Sequence, residues 1–186
     1  PELIGEVHAA LAGRDYEIVV VDDGSTDNTA DVLAELAKAD PRVVPVRHES
    51  SLGRSAAVHT ATRQARGARI VTLDGDGQND PVYIPVLADC LDDPAVGLVA
   101  GQRLGRKDTA AKRYASRIAN AVRGALLGDG TRDTACGLKA FRREAYLELP
   151  YFETMHRFLP ALFLADGWQI AHVDVVDRPR RHGASH

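Results

Sequence analysis

The chain has 186 residues, 45% of them hydrophobic and 26% charged, with a formal net charge of −3. That length suits about one domain with its own core, and the mild acidity gives no basis for general nucleic-acid binding. No apolar run nears the ~20 residues that cross a bilayer, and no signal-peptide pattern opens these residues. Two cysteines, Cys90 and Cys136, make neither a disulfide framework nor a metal cluster.

In chain order, Leu3, Ile4, Val7 and Leu11 recur at helical spacing directly behind Pro1. A doubly wound domain places a strand before such a helix, and none stands here. The far end stops in the basic run Arg180-Arg181-His182, so both ends read as cut. Residues 16–21 form a compact apolar strand closed by Asp22-Asp23-Gly24-Ser25-Thr26-Asp27. Ser25, Thr26 or Asp27 can cap the next helix, whose apolar positions are Val32, Leu33, Leu36 and Ala37. A short strand over 43–46 follows, then a turn at 50–53 and a helix to about Arg66.

The next strand, Ile70-Val71-Thr72-Leu73, runs into Asp74-Gly75-Asp76-Gly77-Gln78. Alternating strands and helices imply βαβ units with right-handed crossovers, placing Asp22-Asp23 and Asp74-Asp76 at one edge of a single parallel sheet. Ligands bind beyond the carboxyl ends of such strands. Asp74, Asp76 and Gln78 offer only oxygen, which suits Mg²⁺ or Mn²⁺ on a diphosphate. Carboxylates ~4 Å apart repel by about 4 kcal/mol at an effective dielectric near 20, and a cation relieves this economically. Asp22 can instead hydrogen-bond a base or ribose, and Asp23 can serve as turn chemistry. An EF-hand is excluded, because it requires glycine where Asn79 stands and glutamate where Pro85 stands. A polar turn without a ligand is the plainer alternative.

A helix from Pro81 (Ile84, Leu87, Ala88, Leu91) leads to a strand over 96–100, and Gly101-Gln102-Arg103 ends it where a guanidinium can reach a phosphate. Residues 107–127 form the most basic helical stretch, with Lys112, Arg113, Arg117 and Arg123 beside Ile118, Val122 and Leu126. It fits either an anionic membrane surface or a core-packed helix with a solvated basic face. A loop from Arg132 to Phe141 carries Asp133 and Lys139 around Gly137. A helix over 152–167 follows, with Pro160 in its first turn, then a last strand over 168–176. No repeat or linker divides residues 1–186: they read as one domain with a nucleotide-sugar half (1–103) and an acceptor-side half (104–186).

These pieces together resemble a family 2 glycosyltransferase, and among those the polyprenyl-phosphate glycosyltransferases such as dolichol-phosphate mannose synthase. The carriers of the resemblance are Val-Val-Val-Asp22-Asp23-Gly-Ser-Thr-Asp, Asp74-Gly-Asp76-Gly-Gln78-Asn-Asp-Pro, Gly101-Gln-Arg103, Asp133-Thr-Ala-Cys-Gly-Leu-Lys, His156-Arg-Phe-Leu-Pro-Ala-Leu and Arg180-Arg-His-Gly-Ala-Ser. The resemblance implies an α/β fold of GT-A (Rossmann-like) type, a mostly parallel sheet flanked by helices, its first strand missing before Pro1. It implies metal-dependent, inverting transfer of a sugar from a UDP- or GDP-sugar to a polyprenyl phosphate, at the cytoplasmic face of a membrane. Val20 and Asp22 would contact the nucleoside, and Asp74, Gly75 and Asp76 the nucleotide-sugar. Asp76 and Gln78 would hold Mg²⁺ or Mn²⁺, and Arg103 a phosphate. Asp133 would stand at the acceptor, as its base if the acceptor is a hydroxyl, and Arg180 in a loop closing over the donor. The sequence departs from the family at Asp177, where relatives often have His, and at His186, where they have Lys or Arg. A hydroxyl acceptor, a sugar nucleotidyltransferase and a non-catalytic sugar-nucleotide module are the alternatives.

Overall fold

The computed structural model describes residues 1–104, 130, 131 and 133–179. In chain order these form α1 (Glu2–Ala10), β1 (Ile18–Asp23), α2 (Thr29–Ala39), β2 (Val43–His48), α3 (Arg54–Gln64), β3 (Arg69–Thr72), α4 (Ile84–Asp89), β4 (Val96–Arg103), β5 (Lys139–Arg142), α5 (Arg143–Glu148), α6 (Leu159–Ala165) and β6 (Gln169–Val175). The expected basic helix over 107–127, Arg132 and Arg180 lie outside the described residues.

The α/β class holds, but the strands form two hydrogen-bonded sheets where the sequence suggests one. β1 and β2 pair in parallel, and a separate four-stranded sheet runs β3-β5-β4-β6. Within the larger sheet only β4 and β6 are parallel, because β5 inserts antiparallel between β3 and β4. Nothing in the composition of Lys139-Ala140-Phe141-Arg142 announces that insertion, since periodicity fixes faces and not neighbours.

The core follows the alternation of the larger sheet. Val99 and Ala140 point to one face with Leu87, Leu91, Leu138 and Val175. Leu98 and Phe141, one residue along, point to the other with Tyr146, Met155, Leu159 and Phe163. Both faces of β4 and β5 are therefore covered, and their apolar residues from Leu98 to Ala100 and at Ala140 and Phe141 are fully buried. In contrast, Ile18 to Val21 of β1 and Ile70 to Thr72 of β3 are only half-buried.

The expected helix over 152–167 is shorter, a 3₁₀ turn at Met155–Arg157 followed by α6, with Pro160 in the first turn as expected. The helix expected from Pro81 opens instead as a 3₁₀ turn, Pro81–Tyr83, capped by Asp80 accepting from the Val82 amide.

Candidate active site

The two acidic motifs stand at the carboxyl ends of β1 and β3, and the two carboxylates of the first divide into different roles. Asp22 is 4% exposed. Its Oδ1 accepts the Ser25 amide at 2.9 Å, while its buried Oδ2 has no hydrogen-bond partner and meets only the Arg47 guanidinium at 3.7 Å. A buried carboxylate oxygen without a donor is costly, so Asp22 Oδ2 retains the capacity to accept one. Asp23 is saturated by comparison: it takes the Leu52 and Gly53 amides at 2.9 Å each, the Ser51 hydroxyl at 2.8 Å and His48 Nδ1 at 2.7 Å. Burial opposes the charge on Asp23, but these hydrogen bonds outweigh it and hold the carboxyl well below its usual range. Gly24 is required between Asp22 and this turn. Its φ is +78°, and a Cβ there would meet the Ser50 carbonyl carbon and the Ser51 nitrogen at 2.6 Å.

The turn that Asp23 fixes delivers Arg54 at the start of α3, and the Arg54 guanidinium pairs with the Asp74 carboxylate. A chain of contacts thus crosses from the end of β1 to the end of β3. Arg54 escaped the sequence reading because its partner lies twenty residues away on another element. Burial lowers the Arg54 pKa, with Asp76 and Cys136 opposing and Arg103 and Arg157 reinforcing. Beside it Ser55 Oγ meets His156 Nδ1 at 2.7 Å. Burial, with Arg54, Lys139 and Arg157 nearby, pushes His156 down to about 4.

The Asp74–Gln78 loop is braced from behind. Asn79 Oδ1 accepts the Asp74 amide at 2.8 Å, and Asp76 Oδ1 accepts the Gln78 amide at 3.1 Å. Gly77 takes φ +76°, whereas Gly75 does not need a left-handed conformation. A Cβ on Gly75 would meet nothing within 4 Å, so this glycine lines open space together with Val20 and Asp74. Gly137 admits no side chain, because a Cβ there would stand 2.5 Å from Asp74 Oδ2 and from Asn79 Oδ1. The loop is also tied to the segment after β6. The Arg178 amide donates to the Gln78 carbonyl at 2.8 Å, and its guanidinium bridges Glu6 at 2.6 Å and Asp80 at 2.5 Å.

Arg103 and Asp133, two separate expectations, meet each other. Arg103 Nε donates to Asp133 Oδ2 at 2.6 Å and Nη2 to Oδ1 at 2.9 Å, a bidentate and largely buried pair. Nη1 reaches Asp177 at 3.4 Å, and the Asp133 hydrogen bonds raise the Arg103 pKa further. Lys139 lies behind this pair, 5% exposed, with Nζ donating to the carbonyls of Thr134 and Cys136. Burial lowers it to about 8. Val20, Asp22, Asp74, Gly75, Asp76 and Gln78 are therefore placed on the two strand ends, and Arg103 and Asp133 on a paired unit beyond them. Among the described residues no three His, Cys, Asp or Glu side chains form a ready-made metal cage. No described helix is long and apolar enough to cross a membrane.

Residues 1–149 match the family model described as glycosyl transferase family 2. The undecaprenyl-phosphate 4-deoxy-4-formamido-L-arabinose transferase of Shewanella sediminis is 33% identical over 190 residues, covering 100% of this chain and 56% of that protein. The dodecaprenyl-phosphate galacturonate synthase of Rhizobium johnstonii is 32% identical, covering 98% of this chain and 56% of its own length. The chain thus spans about half the length of these curated relatives. Among solved structures, the mannosyltransferase PcManGT of Pyrobaculum calidifontis, in complex with GDP-Man and Mn²⁺, superposes with a TM-score of 0.58 at 25% identity, over 87% of this chain and 46% of that one. The GT-A-like α/β fold expected from the motifs is the fold observed, and the chain belongs to glycosyl transferase family 2.

Proposed function

We propose that this chain carries the transfer site of a metal-dependent, inverting enzyme that moves a sugar from a nucleotide-sugar to a polyprenyl phosphate. The observation that carries the donor half is the buried Oδ2 of Asp22, which lacks a hydrogen-bond donor, one strand end away from a loop of oxygen ligands. Asp22 accepts a hydrogen bond from the nucleoside, with Val20 beside it on β1, and the diphosphate crosses toward Asp74, Gly75 and Asp76. The relatives' printed acceptors, undecaprenyl and dodecaprenyl phosphate, support the acceptor class.

The residues fit a hard divalent cation. Asp74 is engaged by Arg54, so the donor set is Asp76 with Gln78, folded into one turn by the hydrogen bond from the Gln78 backbone amide to Asp76 Oδ1. One carboxylate and one amide make no cage, and Mg²⁺ or Mn²⁺ commonly completes its shell with phosphate oxygens and water. A cation there offsets the charge that develops on the departing nucleoside diphosphate.

The acceptor phosphate oxygen attacks the anomeric carbon in line as the bond to the diphosphate oxygen breaks, and the configuration inverts. An anionic acceptor already carries its electron pair, so no proton need be removed. The Arg103–Asp133 pair accords with that chemistry: both Asp133 oxygens accept from Arg103, which makes the carboxylate a fixed orienting group. Arg54, half-buried beside Asp74, supplies fixed positive charge without reorganisation. Peripheral contact with a membrane follows from the lipid acceptor, and Arg180 is proposed to close over the donor.

The test is transfer of label from UDP- and GDP-sugars, with Mn²⁺, to undecaprenyl phosphate, followed by lipid extraction. Labelled sugar-phosphate lipid of inverted configuration is expected, with Asp133→Asn retaining much of the turnover. Label appearing in a nucleoside triphosphate on addition of pyrophosphate would point to a nucleotidyltransferase. Nucleotide binding without transfer to any acceptor would point to a non-catalytic module.

A further inference from the structure

Ser55 and His156 form a polar pair beside the Arg54–Asp74 contact, joining the start of α3 to the 3₁₀ turn before α6. Ser55 is 5% exposed, and its Oγ lies 2.7 Å from His156 Nδ1. The same oxygen accepts the His156 backbone amide at 3.3 Å. The buried hydroxyl proton has no other acceptor among the described residues, so it goes to Nδ1, and Nδ1 is the accepting nitrogen. Burial, together with the charges of Arg54, Lys139 and Arg157, holds the ring in its neutral form. Its one N–H is therefore on Nε2, which makes no hydrogen bond among the described residues.

The backbone on either side fixes the ring. Met155 and Leu159 are buried in the core. Thr154, just before the turn, takes φ +65°, a left-handed conformation that a β-branched residue disfavours. Such strain persists where the surrounding packing enforces it, and it concentrates at ligand sites. A cavity of about 810 Å³ lies between the two sheets, and beyond the carboxyl end of β3 its wall includes Arg54, Asp74, Gly75, Gly137, Lys139 and His156. Ser55, on the Nδ1 side of the ring, is not part of that wall, which leaves Nε2 as the nitrogen available to the cavity.

We infer that His156 is a phosphate-binding residue of the transfer site, giving its Nε2–H to a phosphate oxygen, and that Ser55 is the positioning residue that decides which ring nitrogen carries the proton. The inference rests on the proposed site for a nucleotide-sugar and a polyprenyl phosphate. Three cations act on the ring, Arg54 from α3, Lys139 from β5 and Arg157 beside it, while Asp74 on the same stretch of wall is already engaged by Arg54. An oxyanion suits those surroundings better than a hydroxyl, because the positive field adds to the hydrogen bond. A neutral imidazole then supplies a directed donor and no titrating charge. The oxygen belongs either to the donor's diphosphate or to the acceptor's phosphate, one chemistry from two sources.

Imidazole nitrogen NMR of the 186-residue chain tests this, with the His156 signals identified by their loss in His156→Gln. The free wild type is expected to show His156 as the Nε2–H form, and Ser55→Ala to show a mixture of the two tautomers. Mg²⁺ with UDP or GDP, a short prenyl phosphate, UDP-glucose with Mg²⁺, and inorganic phosphate are then added separately. Movement of the Nε2–H signal with a nucleoside diphosphate assigns the oxygen to the donor, and movement with the prenyl phosphate assigns it to the acceptor. In calorimetry with the same ligand, His156→Phe should weaken binding about tenfold or more, while His156→Gln, which keeps an N–H at that reach, should stay within about threefold of wild type. Val99 amide exchange reports that the variants are folded. An Nδ1–H tautomer in the free chain, or wild-type affinity in His156→Phe, would overturn the inference and leave the donor and acceptor assignment standing. A response to UDP-glucose but not to UDP would overturn it in favour of a sugar hydroxyl, and a response to inorganic phosphate alone in favour of an adventitious ion only. Failure of the wild type to bind any of these compounds would overturn the proposed site itself, and this inference with it.

Discussion

The two sheets differ in how far their sequences are satisfied. In the four-stranded sheet β4 and β5 are buried on both faces and paired on both edges, and the residues they carry to the site are locked in hydrogen-bonded pairs. β1, of equally apolar sequence, is paired on one edge among the described strands, half-buried, and carries Asp22, whose Oδ2 lacks a hydrogen-bond donor. The Arg103–Asp133 unit is thus preformed, whereas the end of β1 retains unmet hydrogen-bonding capacity at Asp22. Apolar strand sequence states the environment a strand is suited to, and burial reports whether it has that environment.

The largest expected difference is in packing. Phe141→Ala empties a fully buried position stacked on Tyr146 at 4.7 Å and should cost about 3–5 kcal/mol in urea denaturation. Val19→Ala in half-buried β1 should cost about 1 kcal/mol. Comparable costs would erase the contrast. Next, Arg103→Met strands Asp133 and should cost about 3 kcal/mol, most of it recovered in the double variant with Asp133→Asn. Simple additivity would show that the pair is not a unit. Asp23→Asn, which weakens acceptors for the Leu52 and Gly53 amides, should cost about 1–2 kcal/mol and speed exchange of those two amides while leaving Val99 unchanged.

A further expected effect is a pH dependence from His156. Its ordinary value of 6.5 is lowered to about 4 in the fold, so between those values the unfolded chain binds a proton that the folded chain refuses. The stability it contributes is complete above pH 6.5 and is lost as pH falls toward 4. His156→Gln should flatten the fall in Tm over that range, and an unchanged slope would assign it to other groups.

The strand ends were the most legible part of the site. A β-branched run stopping at Asp74-Gly75-Asp76 can be read locally, and so can the capacity of Asp22-Asp23-Gly24 to turn. Local chemistry also allowed Asp23 its structural role, and its four partners all fall within residues 48–53. The pairings Arg54–Asp74 and Arg103–Asp133 were not legible, because each depends on which strands become neighbours. The same limit hid the antiparallel entry of β5 between β3 and β4: its four residues carry a strand signal with no direction in it. Lys139, seen only as an ammonium near Gly137, is a buried donor to two loop carbonyls.

Mn²⁺-dependent binding of UDP and GDP, measured by calorimetry on the wild type, Asp22→Asn and Asp76→Ala, addresses the division between the two strand ends most directly. Asp76→Ala should abolish the gain in nucleotide affinity that Mn²⁺ brings, while Asp22→Asn should keep that gain and lose discrimination between the two bases. A Mn²⁺ dependence that survives Asp76→Ala unchanged would contradict the placing of the cation on the β3 loop, and with it the donor site built from two acidic strand ends.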